Sequence, residues 1–161
     1  MADFGILQAE DDAQPVSLLQ QAFRRARVRN PVRVVTNGQD AIDYLAGKAP
    51  FSERQTCPLP ALLLLNLRLP RVPGLEVLQW IRAQPSLKAL VVIVLDQWQR
   101  TSDLERAYAL GANSCAVHPS TLEQWLELAR SLRGWWVMQN RFAPTERSQW
   151  LRAGADIRTS A

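Results

Sequence analysis

The pattern of apolar and polar residues switches repeatedly between a strand-like and a helix-like period, with Gly, Pro or Asn at the changes. Short apolar runs predict five strands, and helical spacing follows each of them. This alternation is typical of a doubly wound α/β domain with a parallel sheet. The predicted strands are Phe4 to Ala9, Val32 to Thr36, Ala61 to Leu65, Leu90 to Leu95 and Ser114 to Val117.

The helices are predicted from apolar residues that recur at a spacing of three and four positions. The first predicted helix has Val16, Leu19, Ala22 and Phe23 on one face, and the second, after the Asn37-Gly38 turn, has Ala41, Ile42 and Leu45. The third begins near Gly74, the fourth spans Thr101 to Leu110, and the fifth begins near Thr121. One long loop, 48–60, interrupts the pattern. We expect one domain over 1–134 and an aromatic C-terminal extension with a tail over 135–161.

Polar side chains stand directly after four of the predicted strands. In an open parallel sheet, the loops at the carboxyl ends of the strands usually carry the functional residues. We therefore expect one pocket at this edge of the sheet. Its candidate residues are Glu10, Asp11 and Asp12 after the first strand, Asn66 after the third, Asp96 after the fourth and His118 after the fifth.

Several segments together resemble the receiver domains of response regulators. These are LLLLNLRLPRVPGLEVL from Leu62, VRVVTNGQDAIDYL from Val32, AYALGANS from Ala107, and a basic residue before Pro119. The resemblance implies a (βα)5 flavodoxin-like receiver fold with a C-terminal helical extension, and a role in two-component phosphorelay signalling. Three features most resemble the stand-alone regulators that partner phytochrome-type histidine kinases. They are the AYALGANS segment, the long loop and the aromatic extension.

The resemblance also shows where this chain departs from the family's pattern. Glu10 and Asp11 match the acidic residues that hold Mg²⁺ in receivers. Four other positions differ: Asn66 replaces the phospho-accepting aspartate, Asp96 a hydroxyl residue, His118 a lysine, and Cys115 an aromatic switch residue. A carboxamide oxygen is a poor nucleophile, so the usual acyl phosphate cannot form at Asn66. The chain resembles a pseudo-receiver. A single engineered substitution would leave the other three positions intact, so we favour a site that has changed as a whole.

Three interpretations of this pocket follow from its residue types. In the first, the pocket is an inert polar cluster in which His118 pairs with Asp96, Glu10 or Asp11, and the pKa of His118 is raised. In the second, Glu10, Asp11, the Asn66 side-chain oxygen and the Arg68 carbonyl bind Mg²⁺ or Ca²⁺. In the third, His118 joins them in a zinc or manganese site. We favour the first interpretation, which requires no cofactor.

The C-terminal helix is apolar over more than half of its circumference, which predicts a second contact surface besides the sheet. One stripe consists of Leu122, Trp125, Ala129, Leu132 and Trp136. Four residues flank it and are our candidates for a homodimer interface, with the fourth helix at its rim: Leu126, Leu128, Trp135 and Val137. In the alternative, the extension from Trp135 to Trp150 folds back and covers this surface. The segment 153–161 is small and polar, and we expect it to fray.

Composition narrows the function classes. The net charge of +4 and the pI near 9.7 raise nucleic acid as a partner. However, the densest basic cluster is typical of a solvated helix end, and a DNA-reading motif is not recognised, so we consider nucleic acid unlikely. Cys57 and Cys115 lie far apart in the sequence and form no motif typical of a zinc site or a disulfide framework. We also expect no membrane span and a cytoplasmic protein. The basic cluster consists of Arg24, Arg25, Arg27, Arg29 and Arg33.

Two classes of function remain. The preferred one is a signalling module without enzymatic activity, which acts by protein-protein interaction with a histidine kinase or another signalling protein. The alternative is an ion- or ligand-sensing switch that uses the altered acidic pocket. The sequence contains no Gly-rich phosphate loop or nucleophile elbow that would favour an enzyme.

Overall fold

The computed structural model describes residues 4–142, which form a five-stranded parallel sheet with the strand order β2-β1-β3-β4-β5. The predicted fold class is confirmed, and the strand boundaries differ from the prediction by two residues or fewer. The strands are β1 (Ile6–Ala9), β2 (Val32–Val35), β3 (Leu62–Asn66), β4 (Val91–Asp96) and β5 (Ser114–Val117).

Five helices cover the two faces of this sheet. They are α1 (Ala13–Arg25), α2 (Gly38–Ala46), α3 (Gly74–Ala83), α4 (Thr101–Ala109) and α5 (Leu122–Leu132), with a short 3-10 helix at Pro85–Leu87. The helices α1 and α5 pack on one face, and α2, α3 and α4 pack on the other. Successive residues of a strand point to opposite faces, so Leu62 and Leu64 contact α1 and α5, whereas Leu63 and Leu65 lie on the other side.

Polar side chains fix the starts of three helices close to the edge where the strands end. The Asp12 side chain accepts a hydrogen bond from Gln14 N–H at the start of α1. Asn37 caps α2 in the same way. Thr121 and Gln124 form a reciprocal capping box at α5. These caps set where each helix leaves the sheet and so fix the loops that carry the candidate site.

Gly74 allows α3 to begin directly against the loop that follows Asn66. A Cβ atom at Gly74 would lie 2.5 Å from the Asn66 carbonyl oxygen and 2.8 Å from the Leu67 Cα. Any side chain here would push that loop away from the sheet. The glycine therefore helps to position Asn66.

Beyond α5 the chain continues through a wider, π-type helical turn, Arg133–Val137. Val137 is buried, and Trp136 and Phe142 pack against the same apolar cluster as α5. The Phe142 ring lies 4.5 Å from the Phe4 ring. The part of the extension that the structure describes therefore packs against the core of the domain. The predictions for the rest of the extension, including Trp150 and the 153–161 tail, lie outside the described residues.

No helix within residues 4–142 is both long enough and apolar enough to span a bilayer.

Candidate functional site

The predicted polar residues gather at the carboxyl edge of the sheet, but they divide between its two faces. Glu10, Asn66 and His118 lie on the side of α1 and α5, where they contact each other. Asp96 follows Leu95, which packs on the α1/α5 side, so its side chain points to the opposite side, toward α4. The sequence predicted one pocket, whereas the structure contains two separate polar groups.

The first group, here called the Glu10 cluster, consists of Glu10, Asn66 and His118. Glu10 is 2% exposed. Its Oε1 accepts a hydrogen bond from Asn66 Nδ2 at 3.0 Å, and its Oε2 lies 2.7 Å from His118 Nε2. The Asn66 Oδ1 accepts a hydrogen bond from the Arg68 backbone N–H at 2.9 Å. Both ends of the carboxamide and both oxygens of the carboxylate are therefore used within the protein.

The surroundings of His118 favour its protonated form. Burial by itself lowers the pKa of His118, but the hydrogen bond and negative charge of Glu10, together with two smaller contributions, outweigh that effect, so the net pKa is raised. The Pro119 carbonyl, 3.1 Å from His118 Nδ1, and the charge of Asp96 act in the same direction. The ring also meets Trp125 of α5 edge to face at 5.5 Å. The predicted direction of the shift is confirmed, and the pairing partner of His118 is Glu10.

The neighbouring acids do not join this cluster as the sequence suggested. Asp12 is exposed and caps α1, although its backbone N–H donates to Glu10 Oε1 at 3.3 Å. Asp11 is exposed to solvent. Of the three acids predicted for the pocket, only Glu10 brings its carboxylate to Asn66 and His118.

The second group surrounds Asp96, which is 4% exposed. Its Oδ1 lies 3.2 Å from Arg68 Nε, and its Oδ2 accepts a hydrogen bond from the Trp98 backbone N–H at 3.2 Å. The Arg68 Nη2 reaches Asp103 Oδ2 in α4, also at 3.2 Å. The Trp98 indole N–H donates to the Ala116 carbonyl at 2.7 Å. We call these five residues the Asp96 clasp.

Cys115, the position that matches the aromatic switch residue, lies in β5 close to this clasp. Its backbone N–H donates to the Tyr108 hydroxyl at 3.3 Å. Burial raises the pKa of the Cys115 thiol, although a hydrogen bond with Tyr108 opposes this. Trp98 packs in the same apolar cluster as Cys115. An aromatic ring therefore lies beside β5, but it comes from the loop between β4 and α4.

In the arrangement that the structure describes, the side-chain oxygens of Glu10 and Asn66 in the predicted divalent metal site already have hydrogen-bond partners. Both Glu10 oxygens and the Asn66 Oδ1 already accept hydrogen bonds, and the His118 ring occupies the space beside the carboxylate. Within residues 4–142, no group of three or more His, Cys, Asp or Glu side chains is placed to hold a metal ion. A hard cation needs several oxygen lone pairs that face one point. Binding one here would first require the Glu10 cluster to open.

The candidate interface residues differ strongly in exposure. Trp135 is 61% exposed. Leu126 and Leu128 are partly buried and pack against the apolar cluster below α5. Val137 is only 6% exposed, which contradicts its predicted place at an interface. The π-type turn rotates Val137 toward the sheet, and so its side chain offers no surface to a partner.

Sequence reasoning missed the side chains that complete the Asp96 clasp. Arg68 was considered only for its backbone carbonyl, and Trp98 and Asp103 were not considered. Asp103 gave a weak signal, because acidic residues in the first turn of a helix are common and favourable. Trp98 gave none, since its contact depends on a loop conformation with a φ of 51°.

The comparisons with known proteins agree with this architecture. The family model of the response regulator receiver domain matches residues 6–130. The probable methanogenesis regulatory protein FilR2 of Methanothrix harundinacea is 33% identical, over 86% of this chain and 86% of that protein. The phosphorylated cyanobacterial phytochrome response regulator RcpA superposes with a TM-score of 0.81 at 27% identity, covering 89% of this chain and 100% of RcpA.

A third similar protein is Rcp1 of Synechocystis, which has been solved in a Mn²⁺-bound form. That structure shares the fold, with a TM-score of 0.78 at 24% identity and coverage of 88% of this chain and 99% of Rcp1. The chain is thus close to phytochrome-associated response regulators in both sequence and structure. Together with the strand order, these matches identify the chain as a member of the response-regulator receiver family.

Proposed function

We propose that this receiver is a signalling module of a two-component system that acts by protein-protein interaction without phosphorylation at Asn66. The observation that carries the proposal is the hydrogen bond from Asn66 Nδ2 to Glu10 Oε1 at 3.0 Å. An aspartate at this position would instead bring a second carboxylate against Glu10. The carboxamide removes the nucleophile and, at the same time, satisfies the buried acid.

Two further features support the proposal. Asp96 brings a buried negative charge to the edge where a phosphoryl group, itself carrying nearly two negative charges, would have to bind. His118 is tied to Glu10 at 2.7 Å, so its charge is already neutralised by a partner within the protein. The site therefore offers little to stabilise a phosphoryl group even if another nucleophile were supplied.

The partner we propose is a histidine kinase, of the phytochrome type in view of the similarity to RcpA. We also propose a cytoplasmic homodimer that pairs through α5 and the π-type turn that follows it, using Leu126, Leu128 and Trp135. Trp135 supports this because an indole that is 61% exposed places a large apolar surface in water.

Phosphorylation is tested by intact-mass spectrometry after incubation with acetyl phosphate and Mg²⁺. We expect no gain in mass for the protein itself. The matched positive control is the triple variant Asn66→Asp, Asp96→Thr, His118→Lys, which restores the three family residues and is expected to gain one phosphoryl group. The single variant Asn66→Asp shows whether the nucleophile alone is missing. A phosphoryl gain by the unaltered protein would refute the proposal.

Dimerisation is tested separately, by light scattering at micromolar concentration. We expect a mass of twice the 18.2 kDa of the chain. Leu128→Asp should give the monomer, because it places a charge at the centre of the apolar surface. Gln20→Asp, at an exposed position of α1, is the control and should remain dimeric. A monomeric mass for the unaltered protein would refute the dimer without affecting the phosphorylation result.

A further inference from the structure

The segment between β4 and α4, residues 97–100, is held by contacts that begin at one buried carboxylate. The two oxygens of Asp96 have different partners: Oδ1 binds the Arg68 side chain from the loop after β3, and Oδ2 binds the Trp98 backbone N–H. The Asp96 carbonyl also accepts a hydrogen bond from the His118 N–H at 2.9 Å. Asp96 therefore joins the loops that follow β3, β4 and β5.

Trp98 has a backbone conformation that requires support from its surroundings. Its φ of 51° lies in the left-handed region, which a bulky residue seldom adopts. Such a residue persists only where neighbouring contacts hold it. Here two contacts do so, since the backbone N–H is bound by Asp96 and the indole N–H by the Ala116 carbonyl of β5.

The start of α4 depends on the same group of residues. Its N-cap position is Arg100, which makes no side-chain capping hydrogen bond. The stabilising charge comes from Asp103 in the first turn, and the Arg68 guanidinium bridges Asp103 to Asp96. The hydrogen bond with Asp96 and the charges of Asp96 and Asp103 raise the pKa of Arg68 further, so the guanidinium of this bridge keeps its positive charge.

We propose that the Asp96 side chain, a permanent part of the protein, holds the β4–α4 segment and the start of α4 against β5. The surface formed by α4 and β5, where Tyr108 is 52% and Val117 64% exposed, thereby keeps one arrangement without any change of charge at Asn66. In a receiver that is switched by a phosphoryl group, that group is added and removed. In this chain the Asp96 side chain is always present, so the α4–β5 surface takes its arrangement when the protein folds.

This inference goes beyond the proposed function, and the two can fail independently. A phosphoryl gain in the mass experiment would refute the proposed function and say nothing about the clasp. The clasp is tested by amide hydrogen exchange without any phosphoryl donor. The Trp98 amide is a direct probe because its acceptor is the Asp96 side chain, and the Asp103 amide reports the start of α4 through its bond to the Arg100 carbonyl.

The variant is Asp96→Ala, and its matched control is Asp11→Ala, which removes an exposed acid at the same edge of the sheet. We expect exchange of residues 97–103 to become at least tenfold faster in Asp96→Ala, with the amides of β1 and β3 unchanged. Asp11→Ala should match the unaltered protein throughout. Unchanged exchange of residues 97–103 in Asp96→Ala would overturn the inference.

A second variant covers the case in which Asp96→Ala loosens the whole domain and the amides of β1 and β3 also exchange faster. Arg68→Gln removes the bridge at a side chain that is 58% exposed and does not touch the core. We expect about threefold faster exchange of residues 97–103 in this variant. Exchange equal to that of the unaltered protein would then overturn the inference.

Discussion

The two polar groups at the edge of the sheet, the Glu10 cluster and the Asp96 clasp, each contain one buried carboxylate but differ in what surrounds it. In the Glu10 cluster the cationic partner, His118, has a side chain that is only 13% exposed. In the clasp the partner is Arg68, whose side chain is 58% exposed. The first pair is shielded from solvent and the second is open to it.

This difference has consequences for both energy and movement. An ion pair that is shielded from water interacts strongly and is little affected by salt, whereas an exposed pair is screened. The Glu10 cluster also has Trp125 of α5 packed against it, while the clasp closes over a loop and the first turn of α4. We therefore expect the Glu10 cluster to determine stability and the clasp to determine local order.

Removing the buried acid of the Glu10 cluster should give the largest effect. Glu10→Ala leaves His118 and the Asn66 amide without their acceptor, and breaking a buried pair of this kind costs about 3 kcal/mol. Urea unfolding of the variant and the unaltered protein measures this loss. Asp11→Ala is the control and should change the free energy of unfolding by less than about 0.5 kcal/mol, because Asp11 is exposed. Equal losses in the two variants would show that the cluster contributes nothing specific.

The pH dependence of stability sharpens the same comparison. Because the folded protein raises the pKa of His118 above its ordinary value of 6.5, protonated His118 stabilises the fold. That contribution is complete below the unfolded pKa and is lost as the pH rises through the folded pKa. We expect the free energy of unfolding to fall as the pH rises above the ordinary value of about 6.5 and through the raised pKa of the folded state. In His118→Gln this part of the decrease should disappear, and a curve unchanged by the substitution would contradict the assignment.

The sequence predicted the Glu10 cluster better than the Asp96 clasp, because different interactions determine the two groups. Glu10, Asn66 and His118 were predicted to meet because the carboxyl ends of parallel strands share one edge. The separation of Asp96 was missed because it depends on the register between β3 and β4, in which Asn66 pairs with Leu95. Register is set by packing across the sheet, and the apolar runs Leu62 to Leu65 and Leu90 to Leu95 do not specify it.

The burial of Val137 shows a different limit. The helical period correctly placed Trp125, Ala129 and Leu132 on the buried stripe of α5. It also placed Trp136 correctly against the same cluster. It failed at Val137, because the π-type turn changes the number of residues per turn and rotates Val137 inward. Such a turn is stabilised by tertiary contacts, here between Val137 and the α1/α5 side of the core, and the local pattern does not predict it.

The solvent exposure of the Asp96 clasp is tested by measuring how the stability loss in Arg68→Gln depends on salt. We expect a loss of about 1 kcal/mol or less at low ionic strength, because Arg68 is largely exposed, and a smaller loss in 1 M NaCl. Arg71→Gln is the matched control, since Arg71 is equally exposed and lies 3.7 Å from Asp40. It should cost less than Arg68→Gln, because its single partner is a more exposed carboxylate. A loss in Arg68→Gln that does not change with salt would mean that the clasp is as shielded as the Glu10 cluster.

The smallest effect is expected from divalent metal. An ion could bind at Glu10 only by displacing Asn66 Nδ2 and His118 Nε2, both of which donate or can donate to its oxygens. The melting temperature should therefore be the same in 10 mM MgCl₂ and in NaCl of equal ionic strength, since a ligand stabilises a fold only by binding it more tightly than the unfolded chain. Asn66→Asp with His118→Ala, which removes both displaced donors from Glu10 and adds a carboxylate, should bind Mg²⁺ and melt at a higher temperature in its presence. A higher melting temperature of the unaltered protein in MgCl₂ would show instead that the Glu10 cluster opens readily. The Glu10 cluster would then not be more shielded from solvent than the Asp96 clasp.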